Sequence, residues 1–222
     1  MDRVLEDQCH SIFIYQVRIK KIMQNDIEIL QFFPKSICSI MLPEMVCDFW
    51  QEEISNIKFY KDVGDDNPHW KSAINTLEDY SEMKELFLTV AKDCLKELGY
   101  DQKIIMTTSW LTAVKPKANP NSISHHHANS WYSCVYYFQN GCSDIVFTNY
   151  NQREIEVTPT KSTIHNSVEC SISPQKHQFI MFPSYMFHKI SENTSNESRH
   201  SLAFNIMPTG IVGEGDSMFV YR

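Results

Sequence analysis

The stretch "SHHHANSWYSCVYYF", residues 124–138, decides how the rest of the chain is read. Three consecutive histidines meet a run of aromatic and β-branched residues. That run, from Trp131 to Phe138, has the composition of a buried strand. The residues before it, "KPKANPNS" (115–122), are rich in Pro and Asn and read as a loop. The histidines therefore stand where a loop feeds a strand. In extended chain, successive side chains point to opposite faces. His125 and His127 then share one face and His126 takes the other. A polar loop that holds three histidines by chance is the bland alternative, and the downstream sequence has to decide between the two.

Outward from this point the C-terminal half continues as short strands. "KIIMTTSWLTAV" precedes the histidines; "SDIVFTN", "REIEVT", "HQFIMFP", "HKIS" and "RHSLAFNIM" follow them, separated by turn residues. Such a series predicts a β-sandwich or small barrel. The first hundred residues read differently. "LPEMVCDFWQEEIS" has Pro43 at a helix start and apolar Met45, Val46 and Phe49 at helical spacing. "SEMKELFLTVAKDCLKELGY" carries an apolar stripe of Met83, Phe87, Val90, Ala91, Cys94 and Leu98, ended by Gly99. The expected fold is mainly β with flanking helices packed on one face. Residues 1–222 are expected to form one domain, with 1–102 a mostly helical support region and 103–222 the β core.

Composition bounds the function. The net charge of −7 disfavours general binding to a phosphate backbone, which needs a basic surface. No apolar run approaches the length of a membrane span, and the N-terminus lacks the apolar core of a signal peptide. The seven cysteines are odd in number and include no C-x-x-C pair, so they read as reduced core residues of a cytoplasmic protein.

A metal held by His125 and His127 needs a third ligand. His188, in "FPSYMFHKI", follows an apolar strand and a Pro-Ser turn, where a neighbouring strand can reach the pair. His165 lies in a polar loop, His177 opens a strand, and His200 alternates with Arg199. Arg199 begins a strand that should be buried, and a buried guanidinium requires a partner. That partner is either an acidic side chain of the protein or the carboxylate of a small ligand, which the guanidinium fork fits. Ser201, two residues on, faces the same side.

Taken together, "HHHANSWYSCVYY", "FPSYMFHKI" and "RHSLAFN" resemble the core of the 2-oxoglutarate- and Fe(II)-dependent dioxygenases. The look-alike branch is known from marine bacteria and their phages. The resemblance spans residues 107–207, with a fainter likeness in "ILQFFPKSICSIMLP" (29–43). It implies a double-stranded β-helix, or jelly roll, and an iron(II) held by a facial triad with open positions. It implies 2-oxoglutarate as co-substrate, converted with dioxygen to succinate and CO2 while an unidentified prime substrate is oxidised, most simply by hydroxylation. By the same resemblance His125, His127 and His188 are the metal ligands. Arg199 pairs with the far carboxylate of 2-oxoglutarate, with Ser201 and Tyr137 beside it. Two positions depart from the pattern. His127 stands where Asp or Glu is usual, and Cys134 where Gly is usual.

Three other readings compete. A cupin-type three-His dioxygenase would need no 2-oxoglutarate and would leave Arg199 without a role. A three-His zinc hydrolase or lyase would activate a bound water. The third is a non-catalytic, metal-stabilised structural or binding module.

Overall fold

The structure, a computed structural model, describes residues 34–61, 68–120, 123–141, 143–150, 155 and 157–221. The chain divides into two compact units, Met1–Lys35 and Ser36–Arg222, and the account below is of the second. Residues 1–33 of the expected helical region, Cys9, Cys142 and residues 153, 154 and 156 of "REIEVT" lie outside the described residues.

The elements in chain order are β1 (Cys38–Met41), α1 (Glu44–Glu53), β2 (Phe59–Lys61), β3 (His69–Ser72), α2 (Ser81–Glu97), β4 (Ile104–Val114), β5 (Tyr132–Tyr137), β6 (Ile145–Thr148), β7 (Glu169–Ile172), β8 (Gln178–Pro183), β9 (Phe187–Ile190), β10 (Arg199–Pro208), β11 (Gly210–Val212) and β12 (Phe219–Tyr221). Both helices start and stop where the sequence places them. Pro43 precedes α1 with φ −58°. Gly99 closes α2 at φ 85°, with its N–H on the Lys96 carbonyl (2.9 Å) and the Tyr100 N–H on the Leu95 carbonyl (2.8 Å). This is a Schellman cap, and it needs a residue free to be left-handed.

Seven strands form the major sheet, in the order β1-β8-β5-β10-β4-β3-β2; β7-β6-β9 form a minor sheet, and β11-β12 a hairpin. All pairs are antiparallel. The region between residues 36 and 102 thus contributes three strands to the major sheet besides its two helices. They are short and partly exposed, so no strong alternation marks them. Strand β7 was also missed by periodicity, because almost all of "ECSI" is exposed on a sheet edge. Residues 155, 157 and 158 of "REIEVT" are not in a strand.

The major sheet has one face for packing and one for chemistry. On β5, Tyr132, Cys134 and Tyr136 join the core against Trp50 of α1 and Phe87 of α2; so do Leu202, Phe204 and Ile206 of β10. The intervening residues point between the two sheets. There Tyr137, Ile180 and Phe182 of the major sheet meet Ile145 and Phe147 of the minor sheet in a second apolar cluster. The expected jelly-roll arrangement with helices on one face is therefore present.

Candidate active site

The histidine segment is extended chain pinned at one point. His125 and His188 form an isolated antiparallel bridge, with N–H to carbonyl distances of 2.9 and 2.8 Å in the two directions. Residues exchanging both bonds project their side chains to the same face. His125 thereby continues the minor sheet beyond β9. His127 lies on the same side, its ring 5.2 Å from that of His125 and 5.1 Å from that of His188; the His125 and His188 rings are 4.6 Å apart. One nitrogen from each of the three rings falls within 4.8 Å of the others. Among the described residues no other group of three His, Cys, Asp or Glu converges in this way. The His126 ring turns away and rests on Phe187 at 4.6 Å.

Tautomers of two rings follow from their partners. His125 Nδ1 is 2.9 Å from the Ile123 carbonyl and His188 Nδ1 is 2.9 Å from the Met186 carbonyl. A carbonyl only accepts, so each Nδ1 carries the proton and each Nε2 keeps its lone pair. Burial, reinforced by the charge of its neighbours His188 and His125, lowers the pKa of His127 to about 3. Burial also lowers that of His188 to about 4, against the opposing pull of the Met186 carbonyl. Both rings are neutral near pH 7, as metal ligation requires.

A cavity runs from these histidines into the space between the sheets. His125, His127, His188, Tyr137, Arg199 and Ser201 all line it, so the structure brings together every residue singled out from the sequence. Cross-strand register explains the layout. Lys71 (β3), Thr112 (β4), Ser201 (β10) and Tyr137 (β5) stand side by side on one rung; His69, Val114 and Arg199 form the adjacent rung. Arg199 is buried and donates from its Nη1 to Ser201 Oγ (3.1 Å) and Thr112 Oγ1 (3.5 Å), while those two hydroxyls are 2.7 Å apart. Its guanidinium carbon is 5.3 Å from the centre of the Tyr137 ring. Burial raises the Tyr137 pKa to about 12, partly offset by Arg199, so the phenol keeps its proton. Arg199, a donor only, approaches the phenol oxygen, and among the described residues the Tyr137 hydroxyl proton has no acceptor. A buried donor left in that state is costly unless a ligand oxygen meets it.

Residues that sequence reasoning did not reach complete the wall. Lys71, His69, Trp110 and Thr112 all line the cavity, and the Trp110 ring lies 5.5 Å from that of His127. No Asp or Glu is among the described lining residues. The loop 115–119 is tied to 193–197 by the Asn193 amide, which donates to the carbonyls of Val114, Lys115 and Glu197. Asn193 is fully buried.

Residues 108–205 match the family model described as "Putative 2OG-Fe(II) oxygenase". Over this stretch the chain is similar to the 2OG-Fe(II) oxygenases. No curated protein matches the chain. Solved structures match it in fold. The carbocyclase SnoK from nogalamycin biosynthesis, described as non-haem and α-ketoglutarate dependent, is 10% identical with a TM-score of 0.63, covering 82% of this chain and 84% of its own. HygX from Streptomyces hygroscopicus, solved with nickel, 2-oxoglutarate and hygromycin B, is 6% identical with a TM-score of 0.54, covering 79% and 84%. A Pseudomonas putida prolyl-4-hydroxylase is 10% identical with a TM-score of 0.52, covering 78% and 92%. At these identities the likeness is one of fold, the double-stranded β-helix. Among the described residues no helix is long and apolar enough to cross a membrane.

The residues present fit the family's two cofactors. Three imidazole nitrogens, two with fixed tautomers, converge as a divalent iron site needs. A buried guanidinium and an unmatched phenol stand further along the same cavity, where a carboxylate can be received.

Proposed function

We propose that the iron of this oxygenase is held by the Nε2 atoms of His125 and His188 and by a ring nitrogen of His127. We propose also that Arg199, with Ser201 and Tyr137, binds the far carboxylate of 2-oxoglutarate. The observation that carries this reading is the single cavity joining the histidine cluster to the buried Arg199. The bound iron supplies oxidation by dioxygen, coupled to decarboxylation of 2-oxoglutarate to succinate. The chain's own side chains bind and orient. Arg199 offers a fork to a carboxylate. Tyr137 remains a hydroxyl donor at neutral pH because burial keeps its pKa high. Phe182 and Ile145, packed between the sheets, exclude water from the cavity wall.

His127 in the usual carboxylate position has an electrostatic consequence. Three neutral imidazoles leave a divalent metal with its full charge, and no acidic residue among the described lining residues offsets it. Lys71 and Arg199 add positive charge to the same cavity. The dianionic co-substrate supplies what the triad lacks, so metal and 2-oxoglutarate should tighten each other's binding reciprocally. Hydroxylation of a prime substrate is the reaction we assign.

The test is succinate formation with Fe(II), 2-oxoglutarate and dioxygen across classes of prime substrate, with His188→Ala as control. Succinate that requires Fe(II) and vanishes in the variant supports the reading. Oxygen uptake independent of 2-oxoglutarate overturns it in favour of a three-His dioxygenase of the cupin kind.

A further inference from the structure

We infer that Ser133, Ser184 and Asn205 are positioning residues that set His127 as a metal ligand through one buried hydrogen-bonded chain. This rests on the metal-centre reading above. Ser133 lies on β5, Asn205 on β10 and Ser184 just after β8, and of the three only Ser133 lines the cavity. Ser184 and Ser133 hydroxyls are 2.8 Å apart, Ser133 Oγ donates to Asn205 Oδ1 (2.8 Å), and Asn205 Nδ2 donates to Thr108 Oγ1 (3.0 Å). Because the Ser133 proton goes to Asn205, the Ser184 hydroxyl donates to Ser133. All three are buried, so each bond is costly to break.

The chain ends at the backbone that carries His127. The Ser184 carbonyl accepts the His127 N–H (3.0 Å), and the Ser184 N–H donates to the Trp131 carbonyl (3.0 Å). One residue thus clamps both ends of the turn 127–131, in which Asn129 takes φ 59°. Ser184 itself sits in the tight turn between β8 and β9, closed by the Met186 N–H on the Pro183 carbonyl (2.9 Å). The position of Ser184 therefore reaches His127 through the clamp and His188 through the turn.

His127 needs such a clamp more than its partners do. The rings of His125 and His188 are each fixed by a carbonyl two residues back. Among the described residues no hydrogen bond fixes the His127 ring; it rests against Trp110. Outer partners of metal ligands commonly change metal affinity by about 10- to 100-fold when lost. Here the outer partner acts on the ligand's backbone, so the lower end applies.

The experiment loads the full chain with Co(II), reads affinity by chelator competition, and records the Co(II) visible spectrum. The unfolding midpoint of the metal-free protein is measured alongside. Ser184→Ala should weaken Co(II) about 10-fold and shift the spectrum. Ser184→Thr, which keeps the hydroxyl, should recover most of both. Ser133→Ala serves if Ser184→Ala does not fold. Wild-type affinity and spectrum in a folded Ser184→Ala or Ser133→Ala protein overturn the inference. So does a lowered unfolding midpoint with an unaltered spectrum, since that marks a purely structural role. Failure of the wild-type chain to bind Co(II) overturns instead the metal-centre reading on which the inference rests.

Discussion

The two faces of the major sheet are built from the same strands and do opposite work. Along β10, Leu202, Phe204 and Ile206 pack against the helices, while Arg199, Ser201 and Ala203 line the cavity. Along β5, Tyr132, Cys134 and Tyr136 face the helices, while Ser133, Val135 and Tyr137 face the cavity. The helix face is continuous aromatic and aliphatic packing. The cavity face carries a buried cation, hydroxyls and imidazoles. The first is where apolar burial stabilises the fold. The second costs stability at each polar group and repays it only in hydrogen bonds and bound ligand. The contrast implies that mutations on the two faces should separate stability from binding.

The largest effect is expected on the helix face. Phe204 is fully buried, with its ring 5.7 Å from Phe87 and 6.0 Å from Phe179. Phe204→Ala should cost about 3–5 kcal/mol of stability, the usual range for emptying a large aromatic site. Denaturant unfolding measures it. The metal bound per folded chain should not change, although Phe204 lies next to Ala203 of the cavity wall. Loss of metal from the folded fraction would show that the two faces are not separable.

On the cavity face the matching change is Arg199→Ala. It should weaken 2-oxoglutarate binding by about 1.5–3 kcal/mol, the range for a hydrogen bond to a charged group. The fold should tolerate it, because the two hydroxyls that Arg199 donates to already pair with each other at 2.7 Å. Calorimetry on the metal-loaded protein gives the affinity. An unchanged value removes Arg199 from co-substrate binding.

The sequence made much of this division legible through parity and resemblance. Alternation along "RHSLAFN" assigned Arg199 and Ser201 to one side, and the family resemblance set Tyr137 beside them. Family motifs supplied the ligand set. What stayed hidden is what register creates. Lys71 and Thr112 reach the cavity only because β3 and β4 pair beside β10, and the chain between Lys71 and Ser201 says nothing of that pairing. The Ser133–Ser184–Asn205 chain joins residues 51 and 72 positions apart. The histidine segment was expected to lead directly into a strand. It is instead held by the isolated bridge at His125, because the turn 127–131 comes before β5 begins.

A smaller effect follows from the neutral histidines of the metal-free protein. Their folded pKa values, about 3 for His127 and about 4 for His188, lie below the ordinary value of 6.5. Above pH 6.5 neither state takes up protons at these rings. As pH falls from 6.5 towards 4, the unfolded chain binds protons that the folded chain refuses, so stability falls. For His188 the slope approaches about 1.4 kcal/mol per pH unit; His127, only partly buried, contributes less. Unfolding midpoints of wild type and His188→Gln across pH 4–7 check this. Equal slopes in the two proteins would show that His188 is not the group refusing the proton.

The smallest effect is the sharpest test of the site. His126 is exposed, and its ring touches Phe187 rather than the cluster. His126→Ala should therefore change stability by less than about 0.5 kcal/mol, as surface substitutions do, and should keep bound iron. His127→Ala, one residue on, should lose most of the metal affinity, because two imidazoles alone leave the site short of a facial triad. His127→Asp should retain iron and weaken the mutual tightening of metal and 2-oxoglutarate, since the carboxylate supplies charge that the co-substrate otherwise brings. Iron per chain, measured in all three variants, decides the matter. Loss of iron in His126→Ala with retention in His127→Ala would mean that the segment turns by one residue when metal binds, and that the side shared by His125 and His127 is not the ligand side.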